Sequence, residues 1–114
     1  MNKDILSIFF PSGVLNYFEV SDYTVHAEEY SFLLKELNIA PRGYLKEDIE
    51  SKGFYEGGQI TDFPIRGKKC KYKVRRRKWM VKETGKVITR DWDIVAKGTR
   101  TTEEFAFFLK ELNR

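Results

Sequence analysis

In "CKYKVRRRKWMV", residues 70–81, apolar and basic positions alternate. Cys70, Tyr72 and Val74 fall on one side of an extended chain and Lys71, Lys73, Arg75 and Arg77 on the other, because successive strand side chains point to opposite faces. "ETGK" then reads as a tight turn in which Gly85 accepts a positive φ, and "VITRDWDIV" as the returning strand. Upstream, "GFYEGGQITDFPIRGKK" predicts a strand interrupted at Gly57 and Gly58 and ended by a turn from Pro64 to Gly67. The stretch Val14 to Leu37 is rich in aromatic and β-branched residues and predicts two strands, roughly 16–27 and 30–38, joined near Glu28 and Glu29. Its later part, "FLLKEL", fits a helical turn equally well. "NIAPRGYLKEDIESKG" reads as a connection with a helical turn at 46–51.

Two segments switch to helical spacing. Asn2 or Asp4 can cap a short first helix with Ile5, Ile8 and Phe9 at i, i+3 and i+4, stopped by Pro11 and Gly13. Near the C-terminus, Thr101 and Glu104 have the spacing of a capping box, and Phe105, Phe108, Leu109 and Leu112 form one apolar stripe for the core. Together these elements predict an α+β fold: a small antiparallel β-sheet of hairpins with a short N-terminal helix and a C-terminal amphipathic helix.

At 114 residues, with 41% hydrophobic and 15% aromatic content, the chain suits one domain with one core. No run approaches the roughly 18 to 20 apolar residues of a membrane helix, and the apolar stretch near the start is short for a secretory signal, so a cytoplasmic, nucleoid-associated location is expected. Cys70 and His26 are the only cysteine and histidine, too few for an intramolecular disulfide or a four-ligand zinc site, and no metal or other cofactor is expected. A lone histidine also leaves no Ser-His-Asp triad, and neither a Walker A nor a Rossmann glycine pattern is present, so the chain is not expected to be an enzyme.

Charge changes the picture more than composition does. The net charge of +4 hides a division: residues 1–62 carry net −6 and residues 63–114 net +10. Such a one-sided field is an argument about partners rather than fold. From Gly67 to Lys82 no acidic residue interrupts the cations. Same-face neighbours on a strand lie roughly 6.5 to 7 Å apart, comparable to successive phosphates on a nucleic-acid strand. Lys71, Lys73, Arg75 and Arg77 would form the phosphate-binding row, thickened by Arg66, Lys68, Lys69, Arg76 and Lys78, with Arg90 and Arg100 completing the set.

Trp79 and Trp92 adjoin this patch as aromatic support. A two-residue loop at Thr84 and Gly85 places Trp79 opposite Arg90 and Trp92 opposite Arg77, where guanidinium and indole can stack. A three-residue loop shifts the register by one and sets Asp91 and Asp93 opposite Arg77 and Arg75. The sequence does not decide between them. In both registers the aspartates meet strand cations, which weighs against a metal-dependent nuclease site built from Asp62, Asp91 and Asp93.

"ITDFPIRGKK", "VRRRKW", "TGK", "TRDW" and "VAKGTRTTEEFAFFLKE" occur in an order that resembles the N-terminal region of a group of bacterial insertion-sequence transposases, where this region can be a short reading frame of its own. The resemblance is specific from about Ser51 to Arg114 and one of general layout before that. More distantly, the chain is similar to the zinc-ribbon N-termini of related DDE transposases, in which an Arg-rich strand runs into a Cys-x-x-Cys knuckle. Here Trp79 stands near the first knuckle position and "VKETG" replaces the rest, so the metal does not carry over. The resemblance implies recognition of double-stranded DNA at the element ends, with strand transfer by a separate catalytic DDE transposase subunit.

The expected division of labour gives residues 51–114 the DNA-binding hairpin and helix, and residues 1–50 an acidic surface that can face protein. Two other functions fit the same charges: a small RNA-binding β-domain, or an interaction module that docks an acidic protein surface. Six phosphate contacts would give a log-log salt slope of about −5, flattened by replacing Lys71, Lys73, Arg75 and Arg77 with Ala.

Overall fold

The computed structural model describes residues 3–11, 13–90 and 103–112. Its chain order is a short helix α1 (Lys3–Leu6), a 3-10 turn (Val14–Asn16), strands β1 (Phe18–Val25) and β2 (Glu29–Glu36), a second 3-10 turn (Lys46–Asp48), strands β3 (Ile49–Ile65), β4 (Lys68–Val81) and β5 (Val87–Ile88), and helix α2 (Glu103–Leu112). The fold is α+β, as the alternation and the two helical segments predict. The "FLLKEL" ambiguity resolves as strand, because Phe32, Leu34 and Glu36 are buried in alternation.

The sheet order is β1-β2-β4-β3, with β5 beside the far end of β4. It is mixed rather than purely antiparallel. β1 and β2 form a hairpin, β3 and β4 form another, and β2 runs parallel to β4, from Glu29 opposite Lys69 to Lys35 opposite Arg75. Parallel pairing arises because the chain leaves β2, runs down β3 at the outside and returns through β4, which slots between them. The basic strand is therefore central, hydrogen-bonded on both sides.

Its turn is tight. Ile65 faces Lys68, and the two loop residues Arg66 and Gly67 both have positive φ, 50° and 78°. That is the conformation in which a two-residue turn matches strand twist. β3 is one long strand bent by three irregularities, between Ser51 and Phe54, Glu56 and Gln59, and Asp62 and Ile65. The glycine pair expected to interrupt it instead makes the middle one, with Gly58 at φ +91° and Gly57 so close to β4 that a Cβ there would sit 2.5 Å from the Val74 carbonyl oxygen.

One face of the sheet carries the core. Phe18, Phe32, Leu34, Ile60, Cys70, Tyr72 and Val74 meet Phe10, Val14, Phe108, Leu109 and Leu112. Phe108 packs edge-on against Phe18 at 5.5 Å between ring centroids, so α2 covers the β1–β2 hairpin as well as β4. Three of the four stripe residues of α2 are thus core; Thr101 and the side chains of Glu104 and Phe105 lie outside the described residues, as do Asn2, Asp91, Trp92, Asp93 and Arg100.

The first helix departs from its predicted stripe. Ile5 and Ile8 are exposed, Ile8 at 77%, and the N-terminal segment is anchored by Phe10 instead, 4.9 Å from Phe32 and 5.2 Å from Tyr72 between centroids. Helical spacing over four residues cannot hold a face against a large ring that the following turn delivers to the core. No helix among the described residues is long and apolar enough to cross a membrane.

Candidate nucleic-acid interface

Alternation along β4 sends Lys69, Lys71, Lys73, Arg75 and Arg77 to the face opposite Cys70, Tyr72 and Val74. No described helix packs on that face. The parallel neighbour β2 adds Lys35 beside Arg75, and Ser31 and Leu33 beside Lys71 and Lys73. From the other side β3 contributes Thr61, Gln59 and Glu56. The result is a surface with a basic central row.

Much of that row is engaged by the protein itself. Lys71 Nζ lies 2.9 Å from Glu29 Oε1, and Arg75 Nε 3.1 Å from Glu56 Oε1. The hydrogen bond from Lys71 holds the Glu29 carboxyl below its ordinary pKa. Arg77 donates to Ser51 Oγ at 2.7 Å and to the Glu36 carbonyl at 3.2 Å, and its guanidinium lies 4.7 Å from the Phe54 ring and 5.9 Å from the Trp79 ring. Lys68 sits over Tyr30 and Lys78 over Tyr55, at 4.9 and 4.3 Å from the ring centroids. Arg66, Lys69 and Lys73 are the cations of the row and its turn that stand exposed.

Two predicted contact residues turn away from the row, Arg76 partly buried and Arg90 buried. Arg76 shares the core-side parity of Val74, and its Nε lies 3.8 Å from Glu36 Oε1 while its Nη2 donates to the Arg90 carbonyl at 2.7 Å. Arg90 is 7% exposed, with Nε 3.9 Å from Glu36 Oε2 and Nη2 donating to the Ile39 carbonyl at 2.6 Å. Burial pulls the Arg90 pKa below its ordinary value, against the attraction of Glu36. Both guanidiniums are drawn to one buried carboxylate, so neither can reach a phosphate on the open face without leaving it. Glu36 itself is 1% exposed.

The hairpin register also differs from both alternatives. Trp79 faces Ile88, and Met80 faces Val87, which leaves Lys82 to Gly85 as a four-residue loop closed by hydrogen bonds from Val81 N–H to the Lys86 carbonyl and from Gly85 N–H to the Val81 carbonyl. Gly85 adopts φ +74°, as its position in the turn requires. Trp79 is 2% exposed and carries Arg77 on its ring; it is a packing residue under the row rather than a base-stacking platform.

Sequence reasoning missed the acids that organise this site. Glu36 had a signal: Phe32 and Leu34 face the core, and the alternation carries Glu36 to the same side, where a buried carboxylate requires buried cations. Glu29 and Glu56 had none without the strand register, since one comes from β2 and the other from β3. Among the described residues no group of three or more His, Cys, Asp or Glu side chains is placed to hold a metal ion. Asp62 instead accepts from the Tyr72 hydroxyl at 2.6 Å. Burial raises the pKa of the Cys70 thiol beside it.

No protein-family model, curated protein or solved structure matches this chain.

Proposed function

We propose that this chain is the non-catalytic DNA-binding module of an insertion-sequence transposase, which contacts duplex DNA at the element ends through the open face of β4 and leaves strand transfer to a separate DDE catalytic subunit. The DNA-binding reading rests on one observation: five cations on a central strand share a face that no described helix covers. The transposase assignment rests on the sequence resemblance from Ser51 to Arg114. The chain has no catalytic role in this reading, and its interface is electrostatic.

Duplex is favoured over single-stranded RNA by the state of the aromatic rings. Single strands are held by stacking bases on free aromatic faces. On the open face, Phe54 carries Arg77 and Lys35, and Trp79 is buried under Arg77. What remains exposed there is charge, the cations Lys69 and Lys73 beside the Glu56 carboxylate, and the cations suit phosphate contacts, which position a duplex without reading its bases. Glu19 and Asp22 of the β1–β2 hairpin are exposed beside that row, Glu19 opposite Lys35 and Asp22 in one pocket with Glu56, Lys73 and Arg75, so they border the DNA-facing surface rather than form a separate protein-facing one.

The test is competition. A labelled duplex carrying the element end should be displaced by unlabelled duplex far more effectively than by single-stranded RNA of equal length, and the protein should co-purify with the catalytic subunit encoded beside it. Preferential displacement by RNA would replace this reading with the RNA-binding one.

A further inference from the structure

Along the open face of β4, exposed and engaged cations alternate from Lys69 to Arg75, and Arg77 is engaged as well. Lys69 is exposed, Lys71 is held by Glu29, Lys73 is exposed, Arg75 is held by Glu56, and Arg77 is tied to Ser51 and Phe54. The two acids arrive from opposite sides, Glu29 from β2 and Glu56 from β3. Glu56 faces Arg75 directly in the ladder, whereas Glu29 faces Lys69 and reaches diagonally to Lys71.

Neither acid is needed to fill space. The Glu56 side chain is 78% exposed and that of Glu29 27%, so neither is part of the core. Glu29 accepts a charge-assisted hydrogen bond from Lys71 Nζ at 2.9 Å, and Glu56 meets Arg75 Nε at 3.1 Å as an ion pair without hydrogen-bond geometry. Resting on the DNA-binding reading above, we propose that Glu29 and Glu56 are specificity-determining residues that act as internal stand-ins for phosphate, holding Lys71 and Arg75 back and limiting duplex contact to Arg66, Lys69 and Lys73.

The consequence is attenuation. A strand presenting every cation to solvent would adhere to any polyanion, because phosphate contacts carry affinity without sequence information. With alternate positions masked, the open lysines Lys69 and Lys73 stand about 13 Å apart along the strand, four residues at roughly 3.3 Å each. A lone phosphate then meets one lysine only. Residence on arbitrary DNA is kept short, and stable engagement at an element end depends on the additional contacts of the catalytic partner.

The experiment compares the full chain with a Glu29→Gln/Glu56→Gln double variant and each single variant, by fluorescence anisotropy on one labelled duplex across a range of NaCl concentrations. Each phosphate contact contributes roughly −0.9 to the log-log slope, so the wild type should fall near −3 and the double variant near −4.5. At about 0.1 M salt the double variant should bind at least 10-fold more tightly, with each single variant between, given roughly 8-fold per added contact. A Glu47→Gln variant removes one charge from an exposed 3-10 turn away from the row, and should change affinity less than twofold at unchanged slope. Thermal melting of each variant reports that the fold is retained. Binding by the double variant where the wild type binds too weakly to measure also supports the proposal. If the wild type binds and the double variant has the same slope and affinity, the acids do not mask the row, and the DNA-binding reading survives without them. If neither protein binds duplex, the functional reading fails and this proposal with it.

Discussion

Replacing Glu36 by Gln should be the most damaging single isosteric change in the protein. The carboxylate is 1% exposed and lies 3.8 Å from Arg76 Nε and 3.9 Å from Arg90 Nε. At an effective dielectric of about 20, each such pair is worth about 4 kcal/mol of Coulomb attraction before desolvation is subtracted. Gln keeps the volume and the backbone carbonyl that accepts from Arg77, but leaves two guanidiniums facing each other around a neutral amide. Removing one partner of a buried ion pair typically costs about 3–5 kcal/mol, out of the roughly 5–15 kcal/mol that holds a domain folded. In urea, with a slope near 2 kcal/mol per molar, the midpoint should drop by roughly 1.5–2.5 M. Replacing Glu36, Arg76 and Arg90 together by Met should recover most of the loss, because no charge is then stranded. A loss below about 1 kcal/mol in Glu36→Gln would show that the cluster is solvated, and that Arg76 and Arg90 are available to ligands after all.

The remaining expectations concern the strand that carries the row and the contacts its two neighbours make with it. Cys70 is fully buried with its thiol pKa raised, so its reaction with a disulfide reagent should be slowed on the order of 10³-fold or more relative to a free thiol and follow global unfolding; rapid labelling of folded protein would contradict the core. Gly57→Ala should destabilise by about 1–3 kcal/mol in urea, since its Cβ would sit 2.5 Å from a backbone oxygen that the sheet fixes, and wild-type stability would contradict the bulge. Glu29 has a folded pKa below its ordinary 4.5, so its pair with Lys71 stabilises above that value and is lost as pH falls through the lowered one. Glu29→Gln should therefore flatten the decline in melting temperature below about pH 4.5, and an unchanged acid limb would mean that the pair is absent in solution.

The elements were legible where periodicity was long. Fourteen residues of β4 and ten of α2 declare their period, and their buried positions, Cys70, Tyr72 and Val74 in one and Phe108, Leu109 and Leu112 in the other, follow from it. Four residues of α1 do not, and the anchoring role fell to Phe10 instead of the Ile5–Ile8 stripe. Strand order was not written in any local pattern: that β4 lies between β2 and β3, parallel to one, depends on which edges the connections allow to meet. The same blindness applies to the site. Alternation correctly separates Lys71, Lys73, Arg75 and Arg77 from the core face, but whether a cation is free depends on acids 19 to 42 residues away in sequence, which only the register of Glu29 and Glu56 reveals. Arg76 and Arg90 read as surface charge for the same reason, since Glu36, which draws them inward, belongs to another strand.

In the proposed complex, duplex DNA sits on the open face of β4 through Arg66, Lys69 and Lys73. The most direct measurement is the salt dependence of binding to a labelled duplex, for the wild type and for an Arg66→Ala/Lys69→Ala/Lys73→Ala variant whose fold is verified by thermal melting. The wild-type log-log slope should fall near −3 and the variant slope within about 1 of zero, with affinity at about 0.1 M salt reduced at least 100-fold. Absent or salt-insensitive binding by the wild type, or binding that the triple variant retains at full strength, would contradict it.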